Sequence, residues 1–423
     1  MKKIVLLLSL AILFACKKNN KDEPLPEQKL KYVRVKDAVL LLNVPSIDKT
    51  GKSSNVFSKV TDVGSIKPIY FIGDLGDTIN INSYVKAVNN INSHFILLSG
   101  DFPTNIVGSK NILVNKITEE VYKFPDIEIN NRTFDADYRS GLTDFQRDLI
   151  EEVYYHQNSM IYKLSLSNLN NITVQEYIPK QQQFDKFLID PFGNCLYGEY
   201  LSSNNFKLKL TSGKIISLTS TWLESKLGAP FFNLYTTWLG FDGNFYFLGS
   251  MSGKNTIVKL SIANNEVSAL KTAEIINPFP LIPNDNGYRF VKNPVRGSIA
   301  FPGQKGVMEY IESTKQVNSY TNTYNFFINK LMIGSSQKYF YISTGDDILK
   351  YSMQNYSVAP IFSGKNNYEI YSLSMDENND VVFFTGLSFA DGKNVAGKIS
   401  EQNGIEVIAD NSTNKITVLQ KIR

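Results

Sequence analysis

The chain has 423 residues, with 44 lysines and arginines against 40 aspartates and glutamates and a formal net charge of +4. A charge this near to balance offers no basic stripe for phosphate contacts, so nucleic acid is not an expected partner. Two cysteines and two histidines, His94 and His156, leave little from which to build a disulfide framework, a histidine-rich metal centre or a histidine-dependent nucleophile. No metal site and no cofactor are expected.

The first residues are Met1-Lys2-Lys3, the apolar run Ile4 to Phe14, then Ala15 and Cys16. Two cations, a short apolar run and a small residue form the three-part pattern of a secretory signal. The run falls short of the roughly 20 apolar residues that a membrane-spanning helix needs. Leu13-Phe14-Ala15-Cys16 resembles the bacterial lipobox, with Phe14 where a small residue is usual. The resemblance implies that residues 1–15 are a lipoprotein signal peptide, that Cys16 is acylated, and that the membrane is a partner through that lipid. Each acyl CH₂ buried in the bilayer adds about 0.8 kcal/mol, so several chains hold firmly.

Removal of Lys2 and Lys3 lowers the formal charge from +4 to +2. With Cys16 committed to lipid, Cys195 has no disulfide partner, and in Asn194-Cys195-Leu196-Tyr197 it reads as a small buried hydrophobe. Residues 16–30 are polar, charged and proline-bearing, the composition of a flexible tether. Within them Lys21-Asp22-Glu23 is similar to the lysine-plus-acids export signal of some Bacteroidota lipoproteins. That likeness implies an outer-membrane, lipid-anchored protein open to the cell surface.

From residue 31 to 423 one unit recurs: an aromatic or β-branched strand, a turn, a strand carrying lysine before an aliphatic, a polar turn, and a third strand. The lysine-bearing strand appears as Asn55–Thr61, Ile112–Thr118, Met160–Ser165, Phe206–Thr211, Thr256–Ser261, Ile348–Ser352 and Val395–Ser400. An eighth copy, Val307–Glu312, has Tyr310 in place of the lysine. The marker positions 59, 116, 163, 209, 259, 310, 350 and 398 are separated by 57, 47, 46, 50, 51, 40 and 48 residues. Recurrence at about 40 to 50 residues is the signature of four-stranded propeller blades. The strand ahead of the marker follows turns rich in Gly and Asn, such as Asp190-Pro191-Phe192-Gly193-Asn194 and Asp242-Gly243-Asn244, which tolerate positive φ.

The fold class is therefore all-β, a β-propeller of eight blades, with seven as the alternative and a pair of β-sandwiches as the competing arrangement. Period-two alternation turns the marker lysines outward and packs their aliphatic neighbours between blades. A strand over Ile416–Gln420 and another over Tyr32–Val35 would fasten the ring by pairing within one blade.

One polar segment, Phe124 to Glu152, interrupts the repeat. It carries Arg132, Asp135, Asp137, Tyr138 and Arg139, and Thr143 with Gln146 has the spacing of a capping box, which predicts a short helix. A polar insertion bearing Tyr and Arg on a rigid ring is a common way for loops to carry binding. Of the two tryptophans, Trp238 is assigned to the core and Trp222 is a candidate stacking residue. The acidic groups Asp346-Asp347 and Asp376–Asp380 sit in turns, where Asp and Asn act first as turn formers. No catalytic residues emerge: the sialidase-type aspartate box, Gly-rich phosphate loops and Gly-x-Ser-x-Gly are all absent. Asp77-Thr78-Ile79 is similar to a short O-glycosylation motif of Bacteroidota.

Taken together, signal and repeats resemble the propeller lipoproteins of Bacteroidota. The resemblance implies a non-catalytic binding or interaction module at the cell envelope, with a glycan, a peptide or an envelope protein as partner. The alternative is a carbohydrate-active enzyme, a glycoside hydrolase or lyase, that gathers carboxylates from several blades at the central channel.

Overall fold

The computed structural model describes residues 29–421 apart from 48–52, 62–64, 104, 126–144, 148–151, 158–159, 181–185, 199–205, 276–289, 304–305, 322–329, 334–338, 344–346, 356, 364–366, 377–380, 401–403 and 412–415. Among the described residues the chain forms eight four-stranded antiparallel sheets and one three-stranded sheet. In chain order the four-stranded sheets span 38–68, 85–123, 145–178, 186–218, 231–274, 291–321, 330–363 and 368–411. The last seven are simple meanders. The first takes three strands from 38–68 and its remaining edge strand, Thr417–Lys421, from the far end of the chain.

Burial explains which sequences became which strands. Second strands such as Phe245–Met251 and Val381–Ser388 are apolar almost without interruption and are buried on both faces, the pattern of strands covered on two sides. Fourth strands such as Thr173–Ile178 alternate toward solvent, as an outer edge must. A sheet apolar on both faces is stable only if something covers both, and neighbouring sheets do so.

Eight hydrophobic clusters carry that packing. One joins Phe57 of the first sheet to Val88 and Ile96 of the second. Others join Leu113 to Tyr155, Ile161 to Cys195, Leu208 to Phe247, Trp238 to Phe301, Tyr320 to Phe340, and Ile348 to Phe384, each linking one sheet to the next. The eighth packs Phe383 and Ala396 of the last sheet on Leu40, Leu42 and Val60 of the first. The succession of contacts thus returns to its start.

Several expectations change here. Each unit is a four-stranded sheet, as its period implied, but the three strands read from the sequence are its second to fourth, because the leading strand carries no distinctive sequence mark. The marker lysines consequently lie on third strands, or for Lys116 one residue beyond, and they are not simply outward. Lys209 Nζ donates to the Tyr177 carbonyl at 2.6 Å and stands 4.0 Å from the Tyr177 ring centroid. Lys350 sits 3.9 Å from the Tyr339 ring centroid, and Lys398 pairs with Glu406 at 3.0 Å. These half-buried cations brace neighbouring strands.

Chain closure is also different in detail. Thr417–Lys421 pairs with Ala38–Ile47, with Leu40 opposite Lys421 and Asn43 opposite Thr417. The expected partner, Tyr32–Val35, overlaps the observed strand Leu30–Val33, which instead joins Phe71–Gly73 and Thr78–Ile79 in the three-stranded sheet. Phe145–Arg147, placed near a helical turn by the capping-box spacing, is a strand paired with Val153–Tyr155. A helix does occur where none was expected: α1, Ser220–Leu227, begins with Thr219 Oγ1 accepting the Trp222 N–H and ends at Gly228 with φ +73°. Its buried Leu223 joins the cluster that contains Phe231.

Candidate functional site

Antiparallel order places the turns between first and second strands, and those between third and fourth, at one end of each sheet. In the second to eighth sheets the first of these turns takes only four or five residues. The connections from one sheet to the next emerge at the opposite end, and several are long: 21 residues over 124–144, 12 over 219–230 and 16 over 275–290. The described strands therefore put their tight turns at one end, and the longer connections leave from the other.

At the tight-turn end the fifth and sixth sheets build a dense cluster of titratable groups. Trp238 is fully buried and stacks on Tyr246, with ring centroids 5.4 Å apart and planes at 10°. Beyond it the chain turns at Gly240. Asp242 Oδ2 accepts hydrogen bonds from the Tyr246 hydroxyl at 2.9 Å and from Lys259 Nζ at 2.6 Å. From the sixth sheet, Glu312 Oε2 accepts the Phe241 backbone N–H at 2.8 Å. Asp242 Oδ1 and Glu312 Oε2 both lie within 3 Å of the point where a Gly240 Cβ would stand.

The two carboxyls are driven in opposite directions. Burial pushes Glu312 up, a push only partly offset by the Phe241 N–H and reinforced by the charge on Asp242. Burial would also raise Asp242, but bonds from Lys259, the Asn244 N–H and Tyr246 outweigh it and hold that carboxyl below its ordinary value. Lys292 lies alongside; burial lowers it against the attraction of Glu312, and its Nζ donates to the Leu239 carbonyl at 2.6 Å. A carboxylate pair separated in protonation is the raw material of acid–base chemistry. Here, however, Asp242 Oδ2 and Glu312 Oε2 are spent on a lysine, a tyrosine and a turn of the fold itself.

A second buried acid, Glu309, has no solvent exposure. Its two oxygens accept from Ser298 Oγ and the Tyr320 hydroxyl, each at 2.5 Å, and Arg296 Nη2 approaches to 3.3 Å. One carboxylate and one arginine meet here, fully compensated, as a buried network requires.

Cys16, Arg132, Asp135, Asp137, Tyr138 and Arg139 fall outside the described residues. Trp222 is half-buried on α1 against the Phe231 cluster, with Lys226 Nζ 5.9 Å from its ring centroid. Trp238 lies in the core, as the sequence indicated. Cys195 is a free, buried thiol that burial pushes well up, so it is unreactive. His94 sits at an exposed turn beside Ser93 Oγ at 2.9 Å. Thr78 of the glycosylation-like motif is exposed. Among the described residues no three of His, Cys, Asp and Glu form a group able to hold a metal ion. The Asp242/Glu312 pair was missed because its members sit 70 positions apart in turns of different repeats; only Glu312 following the exceptional Tyr310 marked the place.

No protein-family model matches the chain, and no curated protein matches it. Among solved structures it is similar to a eukaryotic initiation factor at 8% identity and TM-score 0.48, over 90% of this chain and 89% of that one. It is also similar to a quinonprotein alcohol dehydrogenase-like protein from Bacteroides thetaiotaomicron, at 14% identity and TM-score 0.39, over 90% and 77% of the two chains. A third likeness is to the β-propeller domain of Swd1 from Myceliophteria thermophila, at 12% identity and TM-score 0.36, over 66% and 88%. These likenesses are partial and at low identity, and the fold rests on the sheets themselves.

Proposed function

We propose that the chain is an eight-bladed β-propeller, tethered to the outer membrane by lipid on Cys16, whose insertion-bearing end binds a partner without catalysis. The observation that carries this reading is the asymmetry of the connections: two to seven residues at one end, and up to 21 between sheets at the other. A rigid scaffold that confines its long loops to one end is built to present them. Eight four-stranded sheets and eight clusters returning to the first sheet support the blade number. Arg132, Asp135, Asp137, Tyr138 and Arg139 belong to the longest of those connections, and Trp222 to another, which makes them the contact residues of this reading. The partner is a glycan, a peptide or an envelope protein.

The test has two parts. Labelled palmitate should enter the wild-type protein in cells and not Cys16→Ser, and external protease should reach the protein on intact cells. A glycan array and surface crosslinking with the mature protein should then yield a partner whose binding is weakened by Arg132→Ala/Arg139→Ala. Binding unchanged in that double variant would remove the insertion from the reading.

The second reading, a carbohydrate-active enzyme, is favoured by one observation, the meeting of Asp242 and Glu312 at Gly240 with their pKa values shifted in opposite directions. Release of reducing sugar by the wild type and its loss in Glu312→Gln would establish it over the first.

A further inference from the structure

A cleft of about 320 Å³ runs between the strand Leu30–Val33 and the second sheet, at the end of that sheet from which the connection after Lys123 leaves. That strand is held there by backbone contacts: Val33 N–H donates to the Glu119 carbonyl at 2.9 Å, and Leu30 N–H to the Ile106 carbonyl at 3.2 Å. Leu30, Ile106, Val107, Ile112 and Val121 make its floor and walls apolar. Two lysines, Lys29 and Lys123, stand exposed at its rim, and no acid lines it. Neither ammonium is paired with a carboxylate of the described residues. The Asp74 carboxylate accepts the Lys29 backbone N–H at 3.3 Å.

We infer that this cleft binds a single-chain carboxylate amphiphile of the fatty-acid class, its head between Lys29 and Lys123 and its tail along the apolar floor. The volume lies at the low end of small-molecule sites, which suits one short chain and not the two of a bilayer phospholipid. Apolar walls with a few charged groups at one edge are how such sites fix orientation, and two unpaired cations select an anionic head. The cleft adjoins the connection 124–144 through Lys123 but is lined by none of the residues proposed to contact the partner, so Lys29→Gln/Lys123→Gln and Arg132→Ala/Arg139→Ala test the two readings separately.

The experiment uses the full mature chain with Cys16→Ser, so that no bound lipid of its own competes, and titrates decanoate by calorimetry. Saturable binding of one decanoate per chain is expected. Loss of two charge-assisted contacts in Lys29→Gln/Lys123→Gln, at about 1.5 kcal/mol or more each, should weaken it at least about tenfold. Both lysines are exposed, so the fold should be untouched. Ile106→Trp, which fills the trough and leaves the charges, should weaken decanoate as well. Decyltrimethylammonium, the same tail with a cationic head, should bind the wild type far less tightly than decanoate. The idea fails if decanoate does not saturate, if both variants bind it as the wild type does, or if the cationic probe binds equally well. Retention on anionic phospholipid vesicles without decanoate binding would also overturn it, by assigning the lysines to a bilayer surface.

Discussion

Glu312 caps a turn that is not its own: its carboxylate accepts the Phe241 N–H of the neighbouring sheet at 2.8 Å, in the space left by Gly240. The corresponding turn of the fourth sheet does the same work internally. There Asp190 Oδ1 accepts the N–H groups of Phe192 and Asn194 at 2.9 and 2.8 Å. Counting back from Gly193 and Gly243, Asp190 and Gly240 occupy the same place in their turns. Removing the side chain in one repeat admits the acid from the next, and a local cap becomes a tie between sheets.

Gly240→Ala should therefore destabilise the protein. An added Cβ would lie 2.4 Å from Tyr246 Cε2 and 2.9 Å from Glu312 Oε2, and overpacking of this kind costs about 1–3 kcal/mol. Chemical denaturation should show a lower midpoint with an unchanged slope. A midpoint equal to wild type would mean that the turn yields freely.

The pH dependence of stability carries the signature of Glu312. Its carboxyl is raised in the folded state, chiefly by burial, so between the ordinary glutamate value and the raised one the native state binds more protons than the unfolded state. Stability from this group is greatest at low pH and declines as pH rises through that window. Asp242, held low, acts in the opposite sense and withdraws its contribution only as pH falls below the ordinary aspartate value. Glu312→Gln should flatten the profile above the ordinary glutamate value. A profile identical to wild type would place the titration elsewhere.

Glu309→Ala should be costly. It strands Tyr320, Ser298 and Arg296 around a site without solvent exposure, and breaking a buried ionic network by removing one member costs about 3–5 kcal/mol. Glu309→Gln keeps hydrogen-bonding capacity and should cost less. Equal losses for the two variants would show that the charge, not the bonding, holds the network.

Deletion of residues 415–423 removes the strand Thr417–Lys421 and the buried Ile416. The melting temperature should fall by more than about 5 °C, since the loss amounts to several kcal/mol at the roughly 2–4 °C per kcal/mol of a large domain. An unchanged value would mean that the first and last sheets hold together by side-chain packing alone.

Much of the fold was legible in the chain. Phe245–Met251 and Val381–Ser388 announced themselves by unbroken apolar runs after Gly- and Asn-bearing turns, because strands buried on both faces need no alternation. The leading strands were not: Lys186–Ile189 and Val291–Asn293 are three or four residues long and carry no periodic signal. The short helix α1 escaped because Thr219 and Gly228 mark its ends only once a helix is suspected between them. The Asp242/Glu312 junction was illegible for a different reason. Its members meet only through the packing of two sheets, and no local rule connects positions 70 apart.

The pairing of Leu40 with Lys421 has a consequence for how the protein is made. A chain emerging N-terminus first can build its second to eighth sheets from adjacent segments, each as soon as its strands have appeared. The first cannot be finished that way. Ala38–Ile47 must wait with one edge open until the last residues arrive, and that open edge is a template for pairing with other chains. Final assembly is then a single long-range event, slow by its loop-closure entropy. Molecules cut short during synthesis should accumulate as aggregates or be captured by chaperones of the compartment where they fold.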